Sequence, residues 1–397
     1  MYRLISKIFG AGFVLATMAL TASCSSGPRG HELTDLKQTR ANANRYVFEK
    51  SWARHTIDSN YLGYRINHIA RPILFKDLVI QGNEVDGITA YDKKSGHRRW
   101  HRDLNGGVTA EIGFKAGVLY IGSGDGFFYA IDAATGITKW SFPIRSEGIG
   151  APLVTGDAVY FLTGTNSAYA LNSETGSQIW FYNRQDSNNL TVRGASQPSE
   201  YNNRIYIGFS DGFLVALDKT KGTLVWEKSL SSGQKFRDVD SKPVIDNGRI
   251  YVSSYDGQLY CLNADSGQTI WTHEEGGFLP VTVDGNVLYH SASTRKMQAL
   301  DKDSGKVIWT EELQNTVASQ PVIYKGLLLF GEWSGRLRAL DSRTGEPMTS
   351  FITGRGVTSS VTIDTELDRL FVMTIDANLY SLRLRQKKPV ERFPWQI

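Results

Sequence analysis

One turn motif recurs seven times along this chain at an almost constant interval, and no other feature of the sequence limits its fold as strongly. Each copy has a small residue, an apolar residue and then Asp or Asn, with a Gly four positions later and, in six copies, a Trp four positions after the Gly. Successive glycines are 40, 40, 46, 45, 38 and 40 residues apart. Self-similarity at such a period indicates a repeat architecture. The glycines are Gly96, Gly136, Gly176, Gly222, Gly267, Gly305 and Gly345.

The chemistry of one copy explains the motif. The Asp or Asn ends a strand, and its side chain accepts hydrogen bonds from N–H groups of the turn. The Gly takes a backbone conformation that a Cβ would strain. The Trp that follows is expected to pack on a neighbouring repeat, which contributes on the order of 2–3 kcal/mol for each buried ring. These docking residues are Trp100, Trp140, Trp180, Trp226, Trp271 and Trp309.

The segments before each turn predict further strands. Asp-Gly pairs at Asp125-Gly126, Asp211-Gly212 and Asp256-Gly257 separate short alternating segments, a strong hairpin signal. Four short strands in about 40 residues are typical of a propeller blade, and no helical periodicity or strand–helix alternation occurs between 46 and 385.

Counting blades gives eight. The seven turns mark seven of them, and residues 356–384 supply three strands of another. Its outer strand is expected from residues 45–57, which would remove the exposed edges of an open ring. The fold class predicted is all-β: an eight-bladed β-propeller of four-stranded antiparallel blades, closed by an N-terminal strand.

The N-terminus has the pattern of an export signal. Arg3 and Lys7 precede an apolar stretch from Ile8 to Leu20, which is too short for a stable membrane-spanning helix. The small residues before Cys24 are typical of a lipoprotein signal cleaved before a lipidated cysteine, although Thr21 stands where Leu is usual. An ordinary signal peptide with an incidental cysteine is the alternative.

These features divide the chain into four parts. Residues 1–23 are predicted to be a lipoprotein signal peptide, 24–45 a lipidated cysteine and flexible tether, 46–385 the propeller and 386–397 a C-terminal tail. Ser25, rather than Asp, follows the cysteine, which favours the outer membrane and its periplasmic face.

Charge and cysteine content exclude several other classes. The formal net charge is +4 without a Lys/Arg-rich run, so nothing indicates nucleic-acid binding. The two cysteines are Cys24 and Cys261; if Cys24 carries lipid, no intramolecular disulfide remains. Cys261 occupies an alanine position of the repeat and is expected to be a buried thiol. His97 and His101 flank Trp100 on a strand and are expected at the surface, so no metal site is predicted.

The turn from Ala130 to Trp140 resembles the tryptophan-docking motif of PQQ-type propeller repeats, and the resemblance extends over about 46–385. It implies the fold but not the function, since some members are quinoprotein dehydrogenases and others are scaffolds without a cofactor. The dehydrogenases normally carry adjacent cysteines, and this chain has no such pair. We therefore expect no cofactor and no enzymatic activity.

The two longest repeat intervals are adjacent. Their extra residues fall in the connections 183–196 and 231–242, which should emerge on the same face of a propeller. Loops on a rigid scaffold commonly carry binding sites. The candidate binding residues are Leu190, Val192, Arg193, Asp238 and Asp240.

These connections resemble those of the BamB family, lipoprotein components of the outer-membrane β-barrel assembly (BAM) complex. The resemblance implies that Leu190, Val192 and Arg193 in one loop, with Asp238 and Asp240 in the other, contact the periplasmic POTRA domains of the barrel-forming subunit. Unfolded outer-membrane proteins are further candidate partners, and the lipid on Cys24 would hold the protein to the membrane.

Other interpretations remain open at this point. Arg193 and the two aspartates could form an internal salt bridge, and Leu190 and Val192 could be buried beneath their own loop. A lipid-anchored propeller could also bind a different envelope protein or cell-wall glycan.

Overall fold

The computed structural model describes residues 45–58, 70–144, 146–184, 196–230, 238–254, 257–314 and 316–387. These ranges contain strands and turns and no α-helix. The 32 strands form eight antiparallel sheets of four, so the predicted eight-bladed all-β propeller is confirmed.

Blades 1 to 4 each take four consecutive strands. Blade 1 has Ile73–Phe75 (β2), Leu78–Asn83 (β3), Gly87–Asp92 (β4) and Arg98–Asp103 (β5). Blade 2 has Gly113–Lys115 (β6), Val118–Gly122 (β7), Phe127–Asp132 (β8) and Thr138–Pro143 (β9). Blade 3 has Leu153–Thr155 (β10), Ala158–Leu162 (β11), Ser167–Asn172 (β12) and Gln178–Asn183 (β13). Blade 4 has Ser199–Tyr201 (β14), Arg204–Gly208 (β15), Phe213–Asp218 (β16) and Leu224–Ser229 (β17).

Blades 5 to 7 repeat this arrangement, and blade 8 combines the two ends of the chain. Blade 5 has Val244–Asp246 (β18), Arg249–Ser253 (β19), Leu259–Asn263 (β20) and Thr269–His273 (β21). Blade 6 has Thr282–Asp284 (β22), Val287–Ala292 (β23), Lys296–Asp301 (β24) and Val307–Glu312 (β25). Blade 7 has Val322–Tyr324 (β26), Leu327–Glu332 (β27), Arg336–Asp341 (β28) and Pro347–Ile352 (β29). Blade 8 has Thr362–Asp364 (β30), Arg369–Met373 (β31), Asn378–Gln386 (β32) and, as its outer strand, Tyr46–His55 (β1).

The meander within each blade gives the ring two distinct faces. We call one the turn face, because the turns between the first and second strands and between the third and outer strands lie there; Lys93 N donates to Asp77 O across two such turns. The connection face carries the hairpins between the second and third strands and the links from one blade to the next. Leu230 N, at the end of β17, donates to Gly212 O of the blade 4 hairpin on that face.

The core is divided among the interfaces between blades. Its eight clusters of buried apolar side chains each join two neighbouring blades around the ring. Cys261 belongs to the cluster between blades 5 and 6 and is fully buried, as the sequence predicted. Burial raises the pKa of its thiol to about 11.

The predicted tryptophan docking takes place at every one of the six tryptophans. Each Trp in an outer strand lies against the turn Gly of the next blade; a Cβ added to Gly136 would lie 2.6 Å from Cε3 of Trp100. That Gly has φ = 74°, so a side chain would be both strained and without space. The indole Nε1 of Trp100 donates to Ala133 O in the same turn, at 3.2 Å.

A tyrosine that the sequence analysis overlooked reinforces five of these contacts. Tyr251, in the second strand of blade 5, donates to Lys302 O, the carbonyl that also accepts the indole N–H of Trp271. The two ring centroids lie 5.9 Å apart. The equivalent tyrosines are Tyr120, Tyr160, Tyr206 and Tyr289, each donating to the carbonyl that accepts from the Trp of its own blade.

Trp52 is a seventh docking tryptophan, which the sequence analysis also missed. It lies in β1, its indole Nε1 donates to Lys93 O at 3.1 Å, and its ring packs on Gly96 of blade 1. The predicted closure by the N-terminal strand is thereby confirmed. The contact joining blade 8 to blade 1 is of the same kind as those within the ring.

Blade 7 lacks a docking tryptophan for a structural reason. Thr349 occupies the position, paired with Ala339, but the next blade has no turn between its third and outer strands, because the chain ends lie there. β1 and β32 instead continue past that point as a two-stranded ribbon. Phe48 of the ribbon packs against Phe351 of blade 7, with ring centroids 6.5 Å apart.

Candidate protein-interaction site

The connections on either side of blade 4 contain the candidate binding residues. Both run from an outer strand to the inner strand of the next blade, and such links lie on the connection face. Residues 185–195 and 231–237 lie outside the described residues, so Leu190, Val192 and Arg193 remain predictions. Cys24 also lies outside the described residues.

Arg184 is the last described residue before the first of these segments, and it is held by several contacts. Its guanidinium pairs with Asp211 in the hairpin of blade 4 and, at 2.5 Å, with Glu227 in β17. It also stacks over the ring of Phe213, 4.5 Å from the centroid. These ion pairs hold the pKa of Arg184 above its ordinary value, against the opposing effect of burial. The side chain of Arg184, where the first connection leaves blade 3, is therefore fixed to blade 4.

The described ends of the two connections contact each other and blade 4. Ser196 Oγ donates to Ser241 O at 3.0 Å, which ties the end of the first connection to the end of the second. Val239 is buried, and its N–H donates to Phe209 O at 3.2 Å. A Cβ on Gly208 would lie 2.2 Å from Val239 O, so glycine is required for this approach. The two connections are thus anchored to each other at their described ends.

Asp238 and Asp240 differ in their exposure. Asp238 is completely buried, whereas Asp240 is partly exposed. Burial, together with the negative charge of Asp238, raises the pKa of Asp240 to about 8. At neutral pH Asp240 is therefore mostly protonated. Of the two predicted aspartates, Asp240 is therefore the one that a partner could reach directly.

The described residues hold no group of three or more His, Cys, Asp or Glu side chains that could bind a metal ion. His97 is exposed, while the ring of His101 lies 2.7 Å from Thr89 Oγ1 and 3.0 Å from an oxygen of Asp103. In the same described part of the chain, no helix is long and apolar enough to cross a membrane.

The closed ring, its tryptophan-docked blades and its two adjacent lengthened connections on one face define the class of protein as a repeat β-propeller. The chain belongs to the family described as outer membrane protein assembly factor BamB, whose family model matches residues 85–311 and 278–390.

A relative by sequence agrees with this family, and solved structures agree with the fold. Outer membrane protein assembly factor BamB of Shewanella oneidensis is 27% identical over 351 residues, covering 83% of this chain and 87% of that protein. The crystal structure of BamB from Moraxella catarrhalis has a TM-score of 0.73 at 22% identity, over 85% of this chain and all of that chain. Quinohemoprotein alcohol dehydrogenase from Comamonas testosteroni shares the fold, with a TM-score of 0.68 at 14% identity over 88% of this chain and 78% of that one.

Proposed function

We propose that this protein is a non-enzymatic scaffold of the outer-membrane β-barrel assembly complex. In this proposal Cys24 carries the lipid that holds it to the periplasmic face of the outer membrane. Its connection face binds the POTRA domains of the barrel-forming subunit and so assists the folding and insertion of outer-membrane proteins. Family membership supports the assembly role.

The observation that carries the binding site is the anchoring of two adjacent lengthened connections to one another. The hydrogen bond from Ser196 to Ser241 joins the ends of the two loops. The packing of Val239 against Gly208 fixes the end of the second loop to blade 4. A loop with fixed ends loses less conformational entropy when it binds, which strengthens association.

Within this surface the residues take different roles. Leu190 and Val192 supply apolar contact area, and Arg193 supplies a planar charge for a carboxylate of the partner. Asp240 accepts a basic group of the partner, and the negative charge of the buried Asp238 adds to the attraction for that group. Because Asp240 is mostly neutral at pH 7, a partner cation would ionise it and release a proton. Affinity should therefore rise with pH up to about pH 8.

Titration of the purified propeller with the POTRA domains tests this proposal. We expect Arg193→Ala and Asp240→Asn each to weaken binding about 30-fold, the effect of a contact worth about 2 kcal/mol. An asparagine is chosen because it keeps the shape of the carboxyl group. Asp240→Asn should also remove the pH dependence of the affinity.

Arg355→Ala is the matched control, because Arg355 is exposed on the connection between blades 7 and 8 of the same face. It should leave the affinity unchanged. If the wild-type protein does not bind, or if Arg355→Ala weakens binding as much as Arg193→Ala, the proposed site is wrong.

The alternative of a glycan ligand has its own test residue. Trp333 is 43% exposed on the connection face, 5.9 Å from the ring centroid of Phe278. Sugar binding that Trp333→Ala abolishes, in a protein that does not bind POTRA domains, would replace the scaffold proposal.

A further inference from the structure

The outer rim of the propeller is divided by charge. The outer strands of blades 8 and 1, β1 and β5, contain five basic and two acidic residues. The outer strands of the other six blades together contain two basic and three acidic residues. Since blades 8 and 1 are neighbours, their positive charges form one continuous stretch of rim, which we call the basic arc. It comprises β1, β5, the end of β32 and the flanking Arg45 and Lys387.

Several of these cations are already engaged within the protein. Arg54 donates to the carbonyls of Gly96 and Ser95, at 2.7 and 3.0 Å, and so supports the seam. Arg99 lies 2.8 Å from Asp92, and Arg385 lies 2.9 Å from Glu49. Such groups have limited capacity for a further anion.

Four other cations remain available. Each is exposed, and none makes an ion pair within 4 Å with another described residue: they are Arg45, Lys50, Arg102 and Lys387. A surface with several solvent-facing cations and no internal counter-ions attracts an anionic partner.

The opposite side of the rim is apolar. Counting four blades around an eight-bladed ring places blades 4 and 5 across from blades 8 and 1. Their outer strands and those beside them expose aliphatic and aromatic side chains, each between 44 and 52% exposed: Ile179, Phe181, Leu224, Val225, Ile270, Val307 and Ile308. The positive charge is therefore concentrated on one side of the ring.

The chain leaves the propeller at the basic arc. Lys387 N donates to Arg45 O at 2.7 Å, so the 44 residues before Arg45 depart from the same point as the C-terminal tail. The 20 residues from 25 to 44 join this point to Cys24. Twenty residues of random-coil chain would have a root-mean-square span of roughly 25 Å. Lipid on Cys24 would keep the basic arc close to a bilayer.

We propose that the basic arc rests on the anionic phospholipid headgroups of the membrane to which the protein is anchored, so that the propeller stands on its rim. This inference depends on the lipid anchor of the proposed function. Each Lys or Arg near an anionic bilayer adds to the attraction, and a lipid chain combined with a basic surface holds a protein more firmly than the chain alone. Blade 4, with its two lengthened connections, then lies on the side of the ring farthest from the bilayer.

Binding to vesicles without the lipid tests the surface itself. The ring closes entirely within residues 45–387, so the chain from Ser25 onward contains every strand and every interface between blades. This chain would be sedimented with vesicles of phosphatidylcholine alone and with vesicles containing 30 mol% phosphatidylglycerol. We expect binding to the anionic vesicles only, and weaker binding at higher salt.

Two triple variants with the same net charge distinguish binding through the basic arc from nonspecific electrostatic attraction of the whole protein to the vesicles. Lys50→Glu/Arg102→Glu/Lys387→Glu should lower the partition coefficient at least about tenfold. Lys139→Glu/Lys221→Glu/Lys306→Glu reverses three exposed lysines on blades 2, 4 and 6 and should retain most of the binding. Circular dichroism and thermal melting verify the fold of both.

Three outcomes would overturn the inference. They are no binding of the wild type to anionic vesicles, equal losses in the two variants, and binding to a soluble polyglutamate in place of vesicles, which would indicate an acidic protein partner. POTRA titration of the basic-arc variant keeps the two proposals separate, since this variant should retain full affinity for that partner.

Discussion

The ammonium nitrogen of Lys93 lies 2.8 Å from Oδ2 of Asp364, with both side chains buried at the seam between blade 1 and blade 8. Arg369 of blade 8 donates to Lys93 O and Lys94 O, at 2.6 and 2.8 Å. Together with Trp52, these residues give the closing seam polar contacts of its own in addition to the tryptophan docking that it shares with the other blades.

Breaking this buried ion pair should be strongly destabilising. Lys93→Met leaves the Asp364 carboxylate buried without its counter-ion, and we expect a loss of about 3–5 kcal/mol in the free energy of unfolding. The double variant Lys93→Met/Asp364→Leu should lose much less, because it removes both charges. Urea denaturation measures both changes. A single-variant loss below about 1 kcal/mol would show that the pair contributes little to closure.

The same pair predicts an acid-sensitive seam. Burial alone would raise the pKa of Asp364, but the ammonium group of Lys93 and the backbone N–H groups of Leu367 and Glu366 together outweigh it and hold that pKa below its ordinary value. The stabilisation is therefore present above about pH 4 and is lost as the pH falls through the lowered pKa. Asp364→Asn should remove this part of the acid dependence. Denaturation midpoints at pH 7 and pH 3 provide the comparison.

Trp52→Ala should destabilise the ring by about 3–5 kcal/mol, the usual effect of truncating a buried aromatic side chain. Since Trp52 joins the first strand to blade 1, the loss should be accompanied by faster proteolysis of residues 45–58. Trp271→Ala is the control within the ring. It should lower stability without exposing the N-terminal strand, and equal proteolysis of that strand in both variants would argue against a special role for Trp52.

His290 should make the protein less stable in mild acid. It is fully buried in β23, and burial lowers its pKa to about 4, so it is neutral in the folded state at pH 7. The unfolded chain binds a proton near pH 6.5, so stability decreases as the pH falls from 6.5 to 4, by up to about 3 kcal/mol. Phe161 and Phe330 occupy the equivalent position of blades 3 and 7.

His290→Phe therefore introduces the residue that blades 3 and 7 already have at this position. The difference in unfolding free energy between this variant and the wild type should grow as the pH falls from 6.5 to 4. A difference independent of pH would mean that His290 is protonated in the folded protein or exposed to solvent.

Asp240 should have the opposite effect on stability. Its pKa of about 8 lies above that of an unfolded Asp, so the folded state holds a proton that the unfolded state has lost. This contribution is fully present below about pH 4 and decreases by about 1.4 kcal/mol per pH unit until it is lost near pH 8. Asp240→Asn keeps the neutral group at every pH. Relative to the wild type, it should become steadily more stable from pH 5 to 8 in urea titrations.

The sequence could predict the blades because their signal is local. Asp92 Oδ1 accepts from the N–H groups of Lys94 and Ser95, and Gly96 N donates to Asp92 O, so the whole turn is specified within five residues. Because this pattern recurs at intervals near 40 residues, the blades could be counted and the closed ring predicted. The hairpin glycines were equally readable, since Gly126 and Gly212 have the positive φ angles of 84° and 91° that the Asp-Gly pattern predicted.

Contacts that occur once could not be predicted in this way. Trp52 has no turn motif beside it, because its strand and the strand it completes lie at opposite ends of the chain. The Lys93–Asp364 pair likewise joins distant residues with no repeated partner. The sequence marked Asp238 and Asp240 as equivalent, but only the packing of Val239 between blades 4 and 5 distinguishes the buried aspartate from the accessible one.

The pairing of β1 with β32 also determines when the molecule can be completed. Among the described strands, β1 is the first to be synthesised and its partner β32 is the last, so residues 46–55 cannot pair until residues 378–386 have been made. Contacts of such long sequence separation form slowly. Until they pair, β1 and the outer edge of β32 have no partner, and an unpaired strand edge is prone to association with other chains. However early the other seven blades fold, the ring cannot close before residues 378–386 are available to pair with the N-terminal strand.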